Sequence, residues 1–277
     1  MMPADLRNPR LGAHLIDEKL SGFDIRNYSA FKHGKSGIAS EYASDILDKV
    51  LSDKLSREIP YAVVLSPSTY LPTASHSIGI ALHQLMESKG YRTRLAKIRR
   101  NCTYTADYGM MSDEERLALI TNDDFSLEER FTPEEQLLFV DDVSISGAHQ
   151  HVVEKMLLKH RVENKPHFLY YAVAADTKVD SRIEGVMNNA LVRGVQDLLQ
   201  LMADPDFVIN TRVVKLILNS DELGEKWLDK VPSEILRNLI VGARGNNYHE
   251  IAEYAKNLQI VERSWKARGL HRVVDSN

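Results

Sequence analysis

Cysteine is nearly missing from this 277-residue chain: Cys102 is the only one, so no disulfide can form within it and a disulfide-stapled scaffold is excluded. No stretch approaches 18 consecutive apolar residues, which removes a membrane-spanning helix from the reading. An excess of positive charge is lacking too. Thirty-five Lys and Arg against 39 Asp and Glu leave a net charge of -4, so no global positive field holds nucleic acid. The N-terminal MMPADLRNPR has no apolar signal region, and with the lone cysteine this makes the cytoplasm the expected location. No GxGxxG follows an expected strand, and HGKSG at 33–37 is not a P-loop, because Ser29 stands where the first glycine is due. No CxxC or HExxH occurs, and His149 and His151 sit at alternate positions that point to different helix faces, which argues against a zinc site.

What is present is ordinary globular composition and alternating apolar periods. Ile38, Tyr42, Ile46, Leu47, Val50, Leu51 and Leu55 recur at three and four, the spacing of one buried helix face, and Pro60 ends that run. Tyr61 to Leu65 reads as a buried strand, Ile78 to Met86 as a helix, and Arg92 to Ile98 as a second strand. LLFV at 137–140 is the clearest strand; a helix from Gly147 to His160 and a strand from His167 follow it. Residues 1–30 carry little pattern, with Leu11, Leu15 and Ile16 fitting a short amphipathic turn. Past Asp176 only helical periods occur, around 186–202, 211–218, 234–241 and 249–260. The expected fold is therefore α/β, a parallel sheet flanked by helices over residues 1–178, followed by a helical C-terminal region over 179–277.

The segment LLFVDDVSISGAHQ (137–150) concentrates the chemistry. A buried strand ends in Asp141 and Asp142, and a hydroxyl-bearing turn with Gly147 leads into a helix. Free amides at a helix start, with Ser144 and Ser146 beside them, make a cradle for phosphate, while the adjacent carboxylates suit sugar hydroxyls or a magnesium-bound group. Acidic residues at a strand end also cap helices, which is the plainer reading.

This segment resembles the phosphoribosyl pyrophosphate (PRPP) motif of type I phosphoribosyltransferases, and the chain is most similar to ComF-like phosphoribosyltransferases of tellurite-resistance gene clusters, through the same motif, DYGMMSDEER and the helical tail. The resemblance implies that Asp141 and Asp142 contact the ribose hydroxyls and that Ser144, Ile145, Ser146, Gly147, Ala148 and His149 hold the 5-phosphate. The family often has Thr-Thr-Gly-Gly-Thr where this chain has Ile145 to His149, so an imidazole replaces the last hydroxyl. By the same resemblance the loop after the first strand, with Ser66, Ser68, Thr69 and Tyr70, takes the pyrophosphate, and Lys32 is a further phosphate contact. That loop has none of the arginine or lysine usual there, and a proline-stiffened connector is its plain alternative.

The polar stretch after Ile98 corresponds to the hood of the family, where Arg99 and Arg100 would neutralise the departing pyrophosphate; an exposed arginine pair is also an ordinary surface feature. Tyr104 and Tyr108 are candidates to stack on a base or to pack within the loop. The implied activity is transfer of ribose 5-phosphate from PRPP to an unidentified nitrogen nucleophile with release of pyrophosphate. Mg2+ is expected to arrive with the substrate, no residue being assigned to it directly. The alternative is a non-catalytic module that senses PRPP or a nucleotide. Partners are expected to be small molecules, PRPP and an acceptor base, without nucleic acid or membrane; a homodimer is compatible with the resemblance.

Overall fold

The computed structural model describes residues 7–101, 125–127, 129–176 and 178–269. Cys102, Tyr104, Tyr108 and the DYGMMSDEER segment fall outside them. Six strands form one sheet: β1 (Arg10–Ile16), β2 (Tyr61–Ser68), β3 (Thr93–Arg100), β4 (Phe125–Leu127), β5 (Gln136–Ser144) and β6 (Pro166–Ala174). Their order is β1-β6-β5-β2-β3-β4, and every neighbouring pair is parallel except β4, which runs antiparallel to β3. The central strands are apolar on both faces, as a sheet covered by helices on each side requires. Tyr61 to Leu65 and Leu137 to Val140 are all buried.

The chain leaves the sheet in opposite directions after β2 and β5. α3 (Ser75–Ser88), following β2, buries Ile78, Leu82 and Met86 against Val63, Leu138 and Leu169 on one face. α4 (Ala148–Lys159), following β5, buries Val152, Val153, Met156 and Leu157 against Ala62, Phe139 and Phe168 on the other. Adjacent strands whose connections diverge in this way open a crevice at their carboxyl ends, where open α/β sheets bind ligands.

The chain differs from the sequence expectation in several places, among them Arg99 and Arg100, which end β3 rather than open the loop after it. The segment holding Leu11, Leu15 and Ile16 is not a turn but the edge strand β1, paired to β6 with Leu11 opposite Leu169 and Ile16 opposite Ala174. The long helix expected from the run that Pro60 ends is α2 (Ala39–Ile46), which continues as a wider helical turn over 47–51. α1 (Ile25–Lys32), capped by the Asp24 carboxylate on the amides of Arg26 and Asn27, precedes it.

The C-terminal region is helical as expected: α5 (Ile183–Asn188), α6 (Val195–Leu201), α7 (Thr211–Leu218), α8 (Glu225–Leu228), α9 (Ser233–Gly245) and α10 (Ala252–Ala267). The run expected over 186–202 is two helices. Between them the amides of Leu191 and Val192 turn to the Ser29 hydroxyl, at 3.1 and 3.2 Å. These helices share one buried cluster with α1 to α3 and the sheet, in which Ile46, Leu82 and Leu169 belong with Val214, Leu239 and Val261.

Candidate functional site

Asp141 and Asp142 lie in the last residues of β5, so successive side chains point to opposite faces of the sheet. Each therefore meets a different element. Asp141 faces the α4 side, where its Oδ2 is 2.9 Å from His149 Nδ1 and its Oδ1 accepts the Ser66 hydroxyl at 3.2 Å. Asp142 faces α1, where Lys32 Nζ donates to its Oδ2 at 2.5 Å. Burial pushes the Asp141 carboxyl up, but the His149 contact, Lys32 and the Asp142 amide together hold it below the usual range. For Asp142 burial wins over Lys32, and with repulsion from Asp141 the carboxyl is raised.

The turn after β5 is a buried cradle. Gly147 has φ 78°, a left-handed conformation costly for any side chain, and it directs the chain into α4. The first-turn amides of α4 have no carbonyl within the helix to accept them, while Ala148 N–H donates to Ser146 Oγ at 3.3 Å. From beneath, Arg10 of β1 donates to the carbonyls of Ile145 and Ser144 at 2.6 and 3.2 Å. The guanidinium fixes the oxygens on one side of the turn and leaves the amide side to a ligand.

The end of β2 and the loop after it are knitted by hydroxyls. Ser66 and Ser75 share a hydrogen bond of 2.8 Å, and Val140 O, 3.1 Å from Ser66 Oγ, is the alternative acceptor to Asp141 for its single proton. His76 Nδ1 accepts the Thr73 amide at 3.1 Å, which leaves the ring proton on Nε2, 3.2 Å from Ser68 Oγ. Burial lowers this imidazole to about 4, so it is neutral at pH 7.

These elements form a cleft of about 200 Å³, open to solvent, lined by Lys32, Ser66, Arg100, Asp141, Asp142 and the whole turn from Ser144 to His149. Ser68, Thr69 and Tyr70 are not among the lining residues; Ser68 is turned to His76, and Thr69 donates to Arg100 O at 3.1 Å. Arg99 is exposed. The cleft also takes Thr73, Ser75 and Phe125, and two side chains from the helical region, Glu184 and Arg212, which sequence reasoning missed. Asn210 caps α7 and donates to Lys32 O at 3.1 Å, while Thr211 N–H donates to Pro72 O at 2.9 Å, so the turn carrying Arg212 is fixed to both sides of the cleft. Nothing local in the sequence marks Arg212, because these contacts join residues far apart along the chain.

Among solved structures, hypoxanthine-guanine phosphoribosyl transferase (HGPRT) of L.donovani is similar to this chain at 15% identity and a TM-score of 0.29, over 50% of this chain and 69% of that one. No curated protein matches. The profile of the family described as PRTase ComF-like matches residues 11–261, a span that contains β5, its acidic pair, the cradle and most of the helical region. The chain belongs to the PRTase ComF-like family.

Proposed function

We propose that the protein transfers ribose 5-phosphate from PRPP to a nitrogen nucleophile, releasing pyrophosphate. The observation that supports this best is the composition of one cleft: an acidic pair at the end of β5, a buried amide-bearing cradle directly after it, and Lys32, Arg100 and Arg212 on the surrounding walls. In this reading the cradle from Ser144 to Ala148 takes the 5-phosphate, Asp141 and Asp142 accept hydrogen bonds from the ribose hydroxyls, and Arg100 faces the pyrophosphate. His149 orients Asp141 rather than holding phosphate, and Lys32 does the same for Asp142. The nitrogen lone pair forms the new bond to the anomeric carbon as the bond to pyrophosphate oxygen breaks, its electron pair leaving with that oxygen. The chain contributes alignment and fixed charge where charge develops.

Among the described residues no group of three or more His, Cys, Asp or Glu side chains converges as a metal-ligand set. One or two carboxylates plus substrate phosphates suffice for Mg2+, so Asp141 and Asp142 fit an ion carried by PRPP, and bound there it would neutralise the leaving pyrophosphate.

A sensing module that binds PRPP or a nucleotide without turnover is the second reading. It draws on the loop Ser66 to Ala74, which has no lysine or arginine. Pyrophosphate release, measured with PRPP, Mg2+ and a panel of nucleobases, separates the two readings, since a sensor binds without turnover. The Asp141→Asn/Asp142→Asn protein is expected to lose PRPP use while retaining its circular-dichroism spectrum; turnover at the wild-type rate in that protein refutes the assignment. Each lost charged hydrogen bond is expected to cost about 1.5–3 kcal/mol, at least tenfold in affinity.

A further inference from the structure

We propose that Asn246, in the helical C-terminal region, is a positioning residue for the loop after β2, which adjoins Arg100 through the Thr69 hydroxyl and with it shapes the pyrophosphate end of the cleft. This inference rests on the phosphoribosyl reading above. Asn246 Oδ1 accepts two consecutive loop amides, Tyr70 N–H at 2.8 Å and Leu71 N–H at 2.9 Å. Its Nδ2 donates to Tyr248 OH at 2.9 Å. Asn246 is buried and does not line the cleft, so its side chain serves the loop and touches no ligand.

The remaining contacts press on Tyr70, Leu71 and the next residue, Pro72. Thr211 N–H donates to Pro72 O at 2.9 Å and Thr211 Oγ1 to Leu71 O at 3.3 Å. Two glycines near the end of α9 make room for the side chains: a Cβ on Gly242 would lie 2.4 Å from Leu71 Cδ2, and one on Gly245 would lie 2.3 Å from Tyr70 Cγ. Residues 70–72 are thus held on the side away from the cleft. The flanking Ser66, Pro67, Thr73 and Ser75 line it. A loop pinned at its middle presents both ends in one geometry, and an error near 1 Å there is enough to weaken contacts to a reacting group.

Titration calorimetry with PRPP, inorganic pyrophosphate and ribose 5-phosphate, each with Mg2+, tests this on wild type, Asn246→Ala, Asn246→Asp and Gly242→Ala. The alanine at 246 and the methyl at 242 are expected to weaken PRPP and pyrophosphate binding about tenfold, the equivalent of one or two hydrogen bonds, and to leave ribose 5-phosphate binding unchanged. Asn246→Asp is expected to stay within about twofold, because a carboxylate accepts both amides and Tyr248 OH donates in its turn. Wild-type pyrophosphate affinity in both weakened variants overturns the inference, as does equal loss of all three ligands. If Asn246→Ala fails to fold, Gly242→Ala carries the test through an independent contact. The phosphoribosyl reading fails separately: wild type then binds none of the three ligands, and the inference falls with it.

Discussion

Lys32 and Asp142 are mostly withdrawn from water, with 14% and 5% of their side-chain surfaces exposed, so the cost of separating them is set by the charge left behind. Lys32→Met is expected to destabilise the protein by on the order of 3 kcal/mol at pH 7.5. The carboxyl is already raised by burial, and without Lys32 it rises further. A carboxyl raised on folding gives its full stability below the unfolded value and loses it as pH climbs through the folded one, so the penalty is smaller at pH 5; urea unfolding at both pH values checks it. His76 works with the opposite sign. Its pKa of about 4 lies below the unfolded imidazole, near 6.5, so its contribution is full above about 6.5 and drains away as pH falls toward 4. His76→Asn, which keeps an acceptor for the Thr73 amide, is expected to flatten that part of the stability curve; an unaltered slope counts against the assignment. The acidic pair was legible in the sequence because both residues end one apolar run. Lys32, expected at a phosphate, lines the cleft and donates to Asp142, a contact across 110 positions that carries no local signal.

At the scale of elements, β2, β3, β5 and β6 were legible because their residues are apolar in short runs bounded by proline, serine or acid, and α3 and α4 because one helical face repeats at three and four. β1 was not. As an edge strand it is only half buried along most of its length, and Leu15 is 65% exposed, so RLGAHLI shows neither a continuous apolar run nor clean alternation. Its position is decided by pairing with β6, information that lies more than 150 residues away. This unread strand supplies the support of the cradle. Arg10→Met removes the donors to Ser144 O and Ile145 O while keeping much of the aliphatic stem. Ribose 5-phosphate binding is expected to weaken about tenfold, with pyrophosphate binding unchanged, the reverse of the pattern expected for Asn246→Ala. Calorimetry on the two variants side by side checks whether the cleft has two separately supported ends.

At the scale of the whole molecule, composition divides the chain near residue 178 into an α/β part and a helical part, but burial does not follow that division. Val214, Leu239 and Val261 belong to the same buried cluster as Ile46, Leu82 and Leu169. Polar ties cross it as well: Ser29 Oγ donates to Asn188 O at 2.6 Å, Asn210 holds Lys32 O, and Asn246 holds the loop after β2. Burying a Leu, Ile or Val contributes about 1.5–3 kcal/mol each, so a fragment ending at 178 loses, with each covering side chain, a sizeable part of a total stability of about 5–15 kcal/mol. The full chain is therefore expected to unfold in one calorimetric transition with matching van't Hoff and calorimetric enthalpies. The fragment 1–178 is expected to bind a hydrophobic dye and to melt without a cooperative step. Two resolved transitions in the full chain, or a fragment that melts cooperatively and still binds PRPP, would show that the α/β part stands alone, and the helical region would then act on the cleft only as a removable wall.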